Sequence, residues 1–261
     1  MECSRYLRLL GIEGTPSGLA GLREIVGKHL YRVPFENVSK LLLFGREGTG
    51  RVTTISEFLD GIEHYDLGGT CYTNNPYFAE LLRDLGYDAD LFGADMSKPN
   101  VHTVIRVRIG GVAWHVDVGF AAPFRQPIRL DQLPCEIAHG NDRYVLDGDE
   151  VSVYSGGERQ YGYVAHGPPR STEFFRPVIM DSYNRNQTFM NCLRITRFFE
   201  EYTVELRNRT LIRYRGDQSS HTTLGSLAEL RSALATEFAL PRCPLERAIP
   251  VLEQITGKAF F

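Results

Sequence analysis

The chain has 261 residues, 43% hydrophobic and 23% charged, with a formal net charge of -3, an ordinary globular composition with room for one large domain or two to three small ones. The slight acidity and scattered arginines exclude the basic stripe of a nucleic-acid-binding protein. Five dispersed cysteines without a Cys-x-x-Cys exclude a disulfide framework and a zinc ribbon, and no apolar run reaches the ~20 residues of a membrane span. With no signal-peptide core after Met1, the expectation is a soluble cytoplasmic protein with no membrane and no nucleic-acid partner.

Residues 4–45 read as helical. Tyr6, Leu7, Leu9 and Leu10 lead to a stop at Gly11, and Thr15-Pro16-Ser17 opens a second helix with Leu19, Leu22, Ile25, Val26, His29 and Leu30 on one face. His29 lies in that apolar stripe and reads as a core histidine. Val33-Pro34-Phe35-Glu36-Asn37 breaks the pattern, since proline restricts the residue before it. Residues 45–50 form a loop, and Thr54 to Leu59 a capped helix or turn.

Leu67-Gly68-Gly69-Thr70-Cys71-Tyr72-Thr73-Asn74-Asn75-Pro76 comes next. Two glycines allow a sharp turn and close approach to a ligand, and the Asn-Pro pair marks a helix start. Tyr77, Phe78, Leu81, Leu82 and Leu85 then recur at helical spacing up to Gly86. A cysteine at or just before a helix N-terminus sits in the positive end of the dipole, which favours thiolate. Taken alone, the motif fits a buried structural cysteine better, since free cysteines are mostly small core hydrophobes.

After Gly86 the period becomes two. Tyr87 to Phe92 is a strand, residues 93–100 a loop, and Val101 to Ile109 a β-branched strand joined by Gly110-Gly111 to its partner Val112 to Val118. A two-residue turn pairs Ile109 with Val112, Arg106 with His115 and Val104 with Asp117. His102 and Asp117 then share one face as diagonal neighbours, opposite the face formed by Val101, Thr103, Ile105, Val107, Ile109, Val112, Trp114, Val116 and Val118. The His102 face reads as the one turned away from the core. Gly119 to Pro127 is a loop suited to lining a pocket, with Phe35, Phe120 and Phe124 making it apolar. Strand-like runs at 128–130, 143–146, 150–154 and 160–164 suggest an antiparallel barrel or curved sheet. Residues 174–189 are irregular or helical, 193–199, 202–207 and 210–214 are strands, and 226–238 and 244–255 are helices.

Cys71, His102 and Asp117 are the set that thiol catalysis needs: a nucleophile, a base to take its proton, and a carboxylate to orient the imidazole. Backbone N–H groups near Cys71 suit an oxyanion hole. Alternatives are a metal site from His102, His115 and Asp117, or His115 as the base; no metal is expected. His64, His139, His166 and His221 read as solvated surface histidines.

The chain resembles the arylamine N-acetyltransferases in Val33-Pro34-Phe35-Glu36-Asn37, in Gly68-Gly69-Thr70-Cys71-Tyr72 with Asn75, in His102, and in Val116-Asp117-Val118-Gly119-Phe120 followed by Pro123 and Pro127. The resemblance is specific over about residues 30–130. It implies an α+β fold: a helical domain over residues 1–86 carrying the nucleophile, a β-barrel domain over 87–190 carrying His and Asp, and an α/β lid domain over 191–261. It also implies a Cys71–His102–Asp117 triad that takes an acetyl group from the co-substrate acetyl-CoA and passes it to an arylamine, arylhydrazine or similar amine, a reaction of xenobiotic metabolism. By motif position Phe35, Phe120 and Phe189 would line the acceptor pocket, and Thr103 and Gly119 would contact acetyl-CoA. Leu67 stands where the family usually has arginine, and Thr73 where it has glutamate. Glu36 therefore needs another basic partner or must face water. Other readings that keep the same residues are an amide synthase or N-acyltransferase using another thioester, a Cys-His-Asp hydrolase, and a binding protein with a vestigial triad.

Overall fold

The first part of the chain is helical because its apolar residues recur every three to four positions. In the computed structural model, which describes residues 2–261, α1 (Glu2–Leu10) and α2 (Gly18–Arg32) precede a two-residue strand β1 (Phe35–Glu36), followed by α3 (Val38–Glu47), α4 (Ile55–Tyr65) and α5 (Cys71–Asp84). Leu22, Ile25 and Leu30 of α2, Phe58 and Ile62 of α4, and Phe78, Leu81 and Leu82 of α5 share one core; each contributes about 1.5–3 kcal/mol by leaving water. His29 is fully buried there, with Nδ1 2.9 Å from the Tyr6 hydroxyl. Burial lowers it to about 3, so it stays neutral. Thr54 and Glu57 form a reciprocal capping box on α4, which Arg51 reinforces by pairing with Glu57.

Helix α5 begins at Cys71, not at the Asn-Pro pair, and Pro76 lies inside it. The turn before it is what starts the helix. Gly69 has φ +147°, and a Cβ on it would come within 2.0 Å of Thr73 Oγ1. Pro76 withholds one helical hydrogen bond, a local cost that the buried side chains Tyr77, Phe78 and Leu82 offset.

Strands β2 (Asp88–Asp95), β3 (His102–Ile109), β4 (Val112–Val116), β5 (Ile128–Arg129), β6 (Cys135–His139), β7 (Asp142–Asp147), β8 (Glu150–Ser155) and β9 (Glu158–His166) form an antiparallel sheet in the order β5-β4-β3-β2-β9-β8-β7-β6. It curls into a nearly closed barrel. The β3–β4 register is the expected one, with Ile109 opposite Val112 and Arg106 opposite His115. Strand β2 extends beyond Phe92 because Gly93, Ala94 and Asp95 pair with β9. Strand β6 is short and only weakly apolar, with Cys135 and Ile137 turned to the barrel core and Glu136 and Ala138 exposed.

The β3–β4 hairpin is buried on both faces, which corrects the expectation of one open face. Ile105, Val107 and Val116 pack with α5 in the helical core. Val104 faces the barrel interior with Phe92, Phe124, Tyr144 and Tyr163. His102 and Asp117 are accordingly almost fully buried.

The chain continues through a 3-10 turn (Thr172–Phe175), α6 (Arg176–Asp181) and a second 3-10 turn (Thr188–Met190) into β10 (Arg194–Phe198), β11 (Thr203–Arg207), β12 (Thr210–Arg215) and β13 (Gln218–Thr223), then α7 (Leu227–Thr236) and α8 (Leu245–Thr256). Strand β13 went unanticipated because Gln218 to Thr223 is polar on both faces, as an exposed edge strand tolerates. The second sheet has the order β1-β10-β11-β12-β13, so Phe35 and Glu36 from the N-terminal part complete it. Asn37 fastens this junction. Its side chain donates to the carbonyls of Phe189 and Cys192 at 2.8 and 2.7 Å and accepts from the Arg194 N–H at 2.8 Å.

All five cysteines are free thiols. His139 is buried and stacked on Tyr214, not solvated. No helix among the described residues is long and apolar enough to cross a membrane.

Candidate active site

Cys71 is the first residue of α5 and lines the same cleft as His102, whose charged form it favours. Its Sγ also lies 3.8 Å from the Val101 carbonyl oxygen. His102 Nε2 is 2.8 Å from Asp117 Oδ2, which leaves Nδ1 to face the thiol. Burial works against the imidazolium, but the Asp117 charge and hydrogen bond, with Cys71 beyond them, raise His102 to about 10. Burial likewise works against the Asp117 carboxylate, and the His102 charge overrides it, holding the group at about 2.

Every lone-pair direction of Asp117 is used. Oδ1 accepts from Asn75 Nδ2 and the Gly119 N–H, both at 2.9 Å, while Oδ2 accepts from His102 and from the Tyr163 hydroxyl at 2.8 Å. Asn75 also donates to the Thr103 carbonyl and accepts from the Val118 N–H. Helix α5 therefore supplies both Cys71 and the residue that locks the carboxylate. Gly119 permits this approach, because a Cβ there would stand 2.7 Å from Cys71 Cα and 2.8 Å from Asn75 Nδ2. The motif made Asn75 visible in advance. Tyr163 carried no signal, since its partner is 46 residues away.

These residues open on a cleft of about 760 Å³ that Phe35, Phe120, Phe189, Gly119, Tyr161 and Val101 line together with Cys71 and His102. Phe35 and Phe189 meet edge to face at 5.5 Å, and the Phe120 ring lies 5.2 Å from that of His102. Of the two residues expected at acetyl-CoA, Gly119 lines the cleft and Thr103 does not. Thr103 is fully buried under α5, where its hydroxyl donates to the Cys71 carbonyl at 3.0 Å, so it fixes the first turn and has no surface for a ligand. Phe124 is also absent from the cleft; it packs on His115 and Tyr144 inside the barrel.

His115 does not reach Cys71. Its Nε2 lies 3.0 Å from the Tyr163 hydroxyl, and burial lowers it to about 4. No group of three or more His, Cys, Asp and Glu residues is placed to hold a metal ion among the described residues. Glu36 follows neither expectation, for it is buried without a basic partner. Its oxygens accept the N–H groups of Ser39 at 2.8 Å and Gly68 at 3.1 Å, so it caps α3 and ties down the glycine turn. Leu67 points into the C-terminal core, and the Thr73 hydroxyl bonds the Thr70 carbonyl.

A family model described as N-acetyltransferase matches residues 18–242. An arylamine N-acetyltransferase of Mycolicibacterium smegmatis is 25% identical over 258 residues, covering 92% of each chain. The structure of the arylamine N-acetyltransferase from M. tuberculosis superposes with a TM-score of 0.81 at 20% identity, covering 98% of this chain and 99% of that one. The Mycobacterium marinum arylamine N-acetyltransferase in complex with CoA gives a TM-score of 0.81 at 21% identity over 97% and 99%.

Proposed function

This chain belongs to the arylamine N-acetyltransferase family, and from that membership we propose that it moves an acetyl group from acetyl-CoA to an arylamine, arylhydrazine or similar amine through a thioester on Cys71. The observation that carries the reading is that Cys71, at the head of α5, lines one cleft with a His102 that Asp117 holds at 2.8 Å. Both sit at the wall of an aromatic cleft.

With the Cys71 proton held on His102, the thiolate attacks the donor carbonyl in the first half-reaction. The Cys71 S–C bond forms, the donor C–S bond breaks, and the imidazolium returns the proton to the departing thiol. In the second, the amine nitrogen attacks the Cys71 thioester, His102 takes the proton the nitrogen sheds, and Cys71 leaves as thiolate. Asp117 keeps the imidazolium stable through both steps. The N–H groups of Cys71 and Tyr72, at the start of α5 where no helical acceptor exists, suit the oxyanion of each tetrahedral intermediate. Phe35, Phe120 and Phe189 would hold the acceptor and exclude water, favouring transfer over hydrolysis. In this scheme the three-part division at residues 86 and 190 gives the nucleophile to the first part, the base to the second and the cover of the cleft to the third.

Intact-protein mass spectrometry after incubation with acetyl-CoA and no amine tests this. Wild type gains one acetyl group and loses it on addition of an arylamine, and Cys71→Ala gains none. A wild-type protein that takes up no acetyl group while iodoacetamide still alkylates Cys71 excludes acetyl-CoA as the donor.

A further inference from the structure

Lys40 of α3 is buried between the cleft that Cys71 and His102 line and a second pocket of about 320 Å³. Its Nζ is 2.5 Å from Ser182 Oγ and 4.0 Å from the centre of the Tyr183 ring. The Ser182 hydroxyl donates to the Ile179 carbonyl, so it accepts one of the three ammonium hydrogens. No carboxylate pairs with Lys40 among the described residues. Asp181, on the same wall, lies 3.7 Å from Lys98, and Glu36 is held by backbone N–H groups.

A lysine nitrogen in this position is costly unless something anionic joins it. Burial, only partly opposed by Cys71, lowers Lys40 to about 7. His102 beside the nucleophile serves as the counter-ion for any thiolate formed there. Asp181 on this wall pairs with Lys98 and leaves Lys40 without a carboxylate, while Phe35, Tyr72 and Phe189, which line the same cleft, are aromatic. A single point charge beside aromatic rings matches a monoanion carried on an organic frame.

We propose that Lys40 is the counter-ion for a carboxylate on the substrate, so that the site selects acids over their neutral analogues. This rests on the acyl-transfer reading, and the carboxylate belongs either to the acceptor amine or to the acyl group delivered to Cys71.

Equilibrium binding separates these sources and needs no turnover, so a failure of the transfer scheme leaves it intact. Isothermal titration of Cys71→Ala with 4-aminobenzoate and 4-aminobenzamide probes the acceptor, and titration with succinyl-CoA and butyryl-CoA probes the acyl group. The expected result is that, in at least one pair, the acid binds about tenfold or more tightly than its neutral partner. Adding Lys40→Met or Lys40→Gln removes that preference, and Lys40→Arg retains part of it. Equal binding of acid and neutral analogue in both pairs overturns the proposal with the Cys71→Ala protein alone, whatever the folding of the Lys40 variants. So does a preference that survives both neutral substitutions, or an effect of Lys40→Met confined to the alkylation rate of Cys71.

Discussion

The Tyr163 hydroxyl lies 2.8 Å from Asp117 Oδ2, the oxygen that also holds His102, and 3.0 Å from His115 Nε2. Donating to the carboxylate, the phenol oxygen is left to accept from a neutral His115, whose Nε2–H then has its partner. A chain His115–Tyr163–Asp117–His102 thus runs from the barrel interior to the cleft, with every member buried.

Tyr163→Phe removes the middle of that chain and strands the His115 N–H. The expected loss of stability is about 1–3 kcal/mol, the cost of a buried polar group left without a partner. Urea denaturation checks it; an unchanged midpoint and slope mean that water or a rearrangement replaces the phenol.

Asp117→Asn deletes the charge that raises His102 while keeping the shape. Acylation of Cys71 is expected to slow by about a thousandfold or more, read by single-turnover mass spectrometry. Stability should change with pH in a defined window. The depressed Asp117 contributes stability above its ordinary value of 3.8, lost as pH falls through about 2. The raised His102 contributes fully below its ordinary 6.5, and that contribution is lost as pH rises through about 10. The gap between wild type and Asp117→Asn is therefore widest between about pH 4 and 6.5 and narrows on both sides. A gap that stays flat across a pH series of denaturation curves contradicts the ion pair.

Asn37→Ala cuts three buried hydrogen bonds between the N-terminal part and residues 189–194. A loss of about 2–4 kcal/mol is expected. Because one of those bonds holds the backbone of Phe189, KM for the amine should rise more than kcat falls. Steady-state kinetics with the amine varied decides between this and a general loss of active protein.

Gly119→Ala forces a methyl group against Cys71 Cα and Asn75 Nδ2. One of the two must move: a shift of Cys71 displaces the thiol, and a shift of Asn75 frees the Asp117 carboxylate that orients His102. The variant should keep wild-type circular dichroism and form the acyl-enzyme at least tenfold more slowly. Wild-type acylation in Gly119→Ala shows that the loop yields instead.

Much of the site was legible because its signals are local. Gly110-Gly111 dictates a two-residue turn, the turn dictates register, and register brings His102 beside Asp117. Helical periodicity after Cys71 located α5, although its first residue depended on the Gly68-Gly69 turn instead of Pro76. Strands β6 and β13 were not legible, for β6 is short with only two apolar inward residues and β13 is polar on both faces, and both hold their places through neighbours in the sheet. The ends of Glu36 and Lys40 were equally hidden, since a residue's partner two helices away leaves no trace in its own surroundings.

The amino-acid sequence by itself singled out a thiol, an imidazole and a carboxylate and placed two of them on one hairpin, because turn geometry and strand alternation act over a few residues. Only the tertiary structure decided that Cys71 meets His102, that Tyr163 and Asn75 fill the remaining positions around Asp117, and that Thr103 faces helix α5 and not the cleft. Those outcomes require α5 to pack across β3 and the barrel to close over its own interior. Both are driven by burial of apolar surface between segments far apart in the chain, a force with no direction and no sequence spacing of its own.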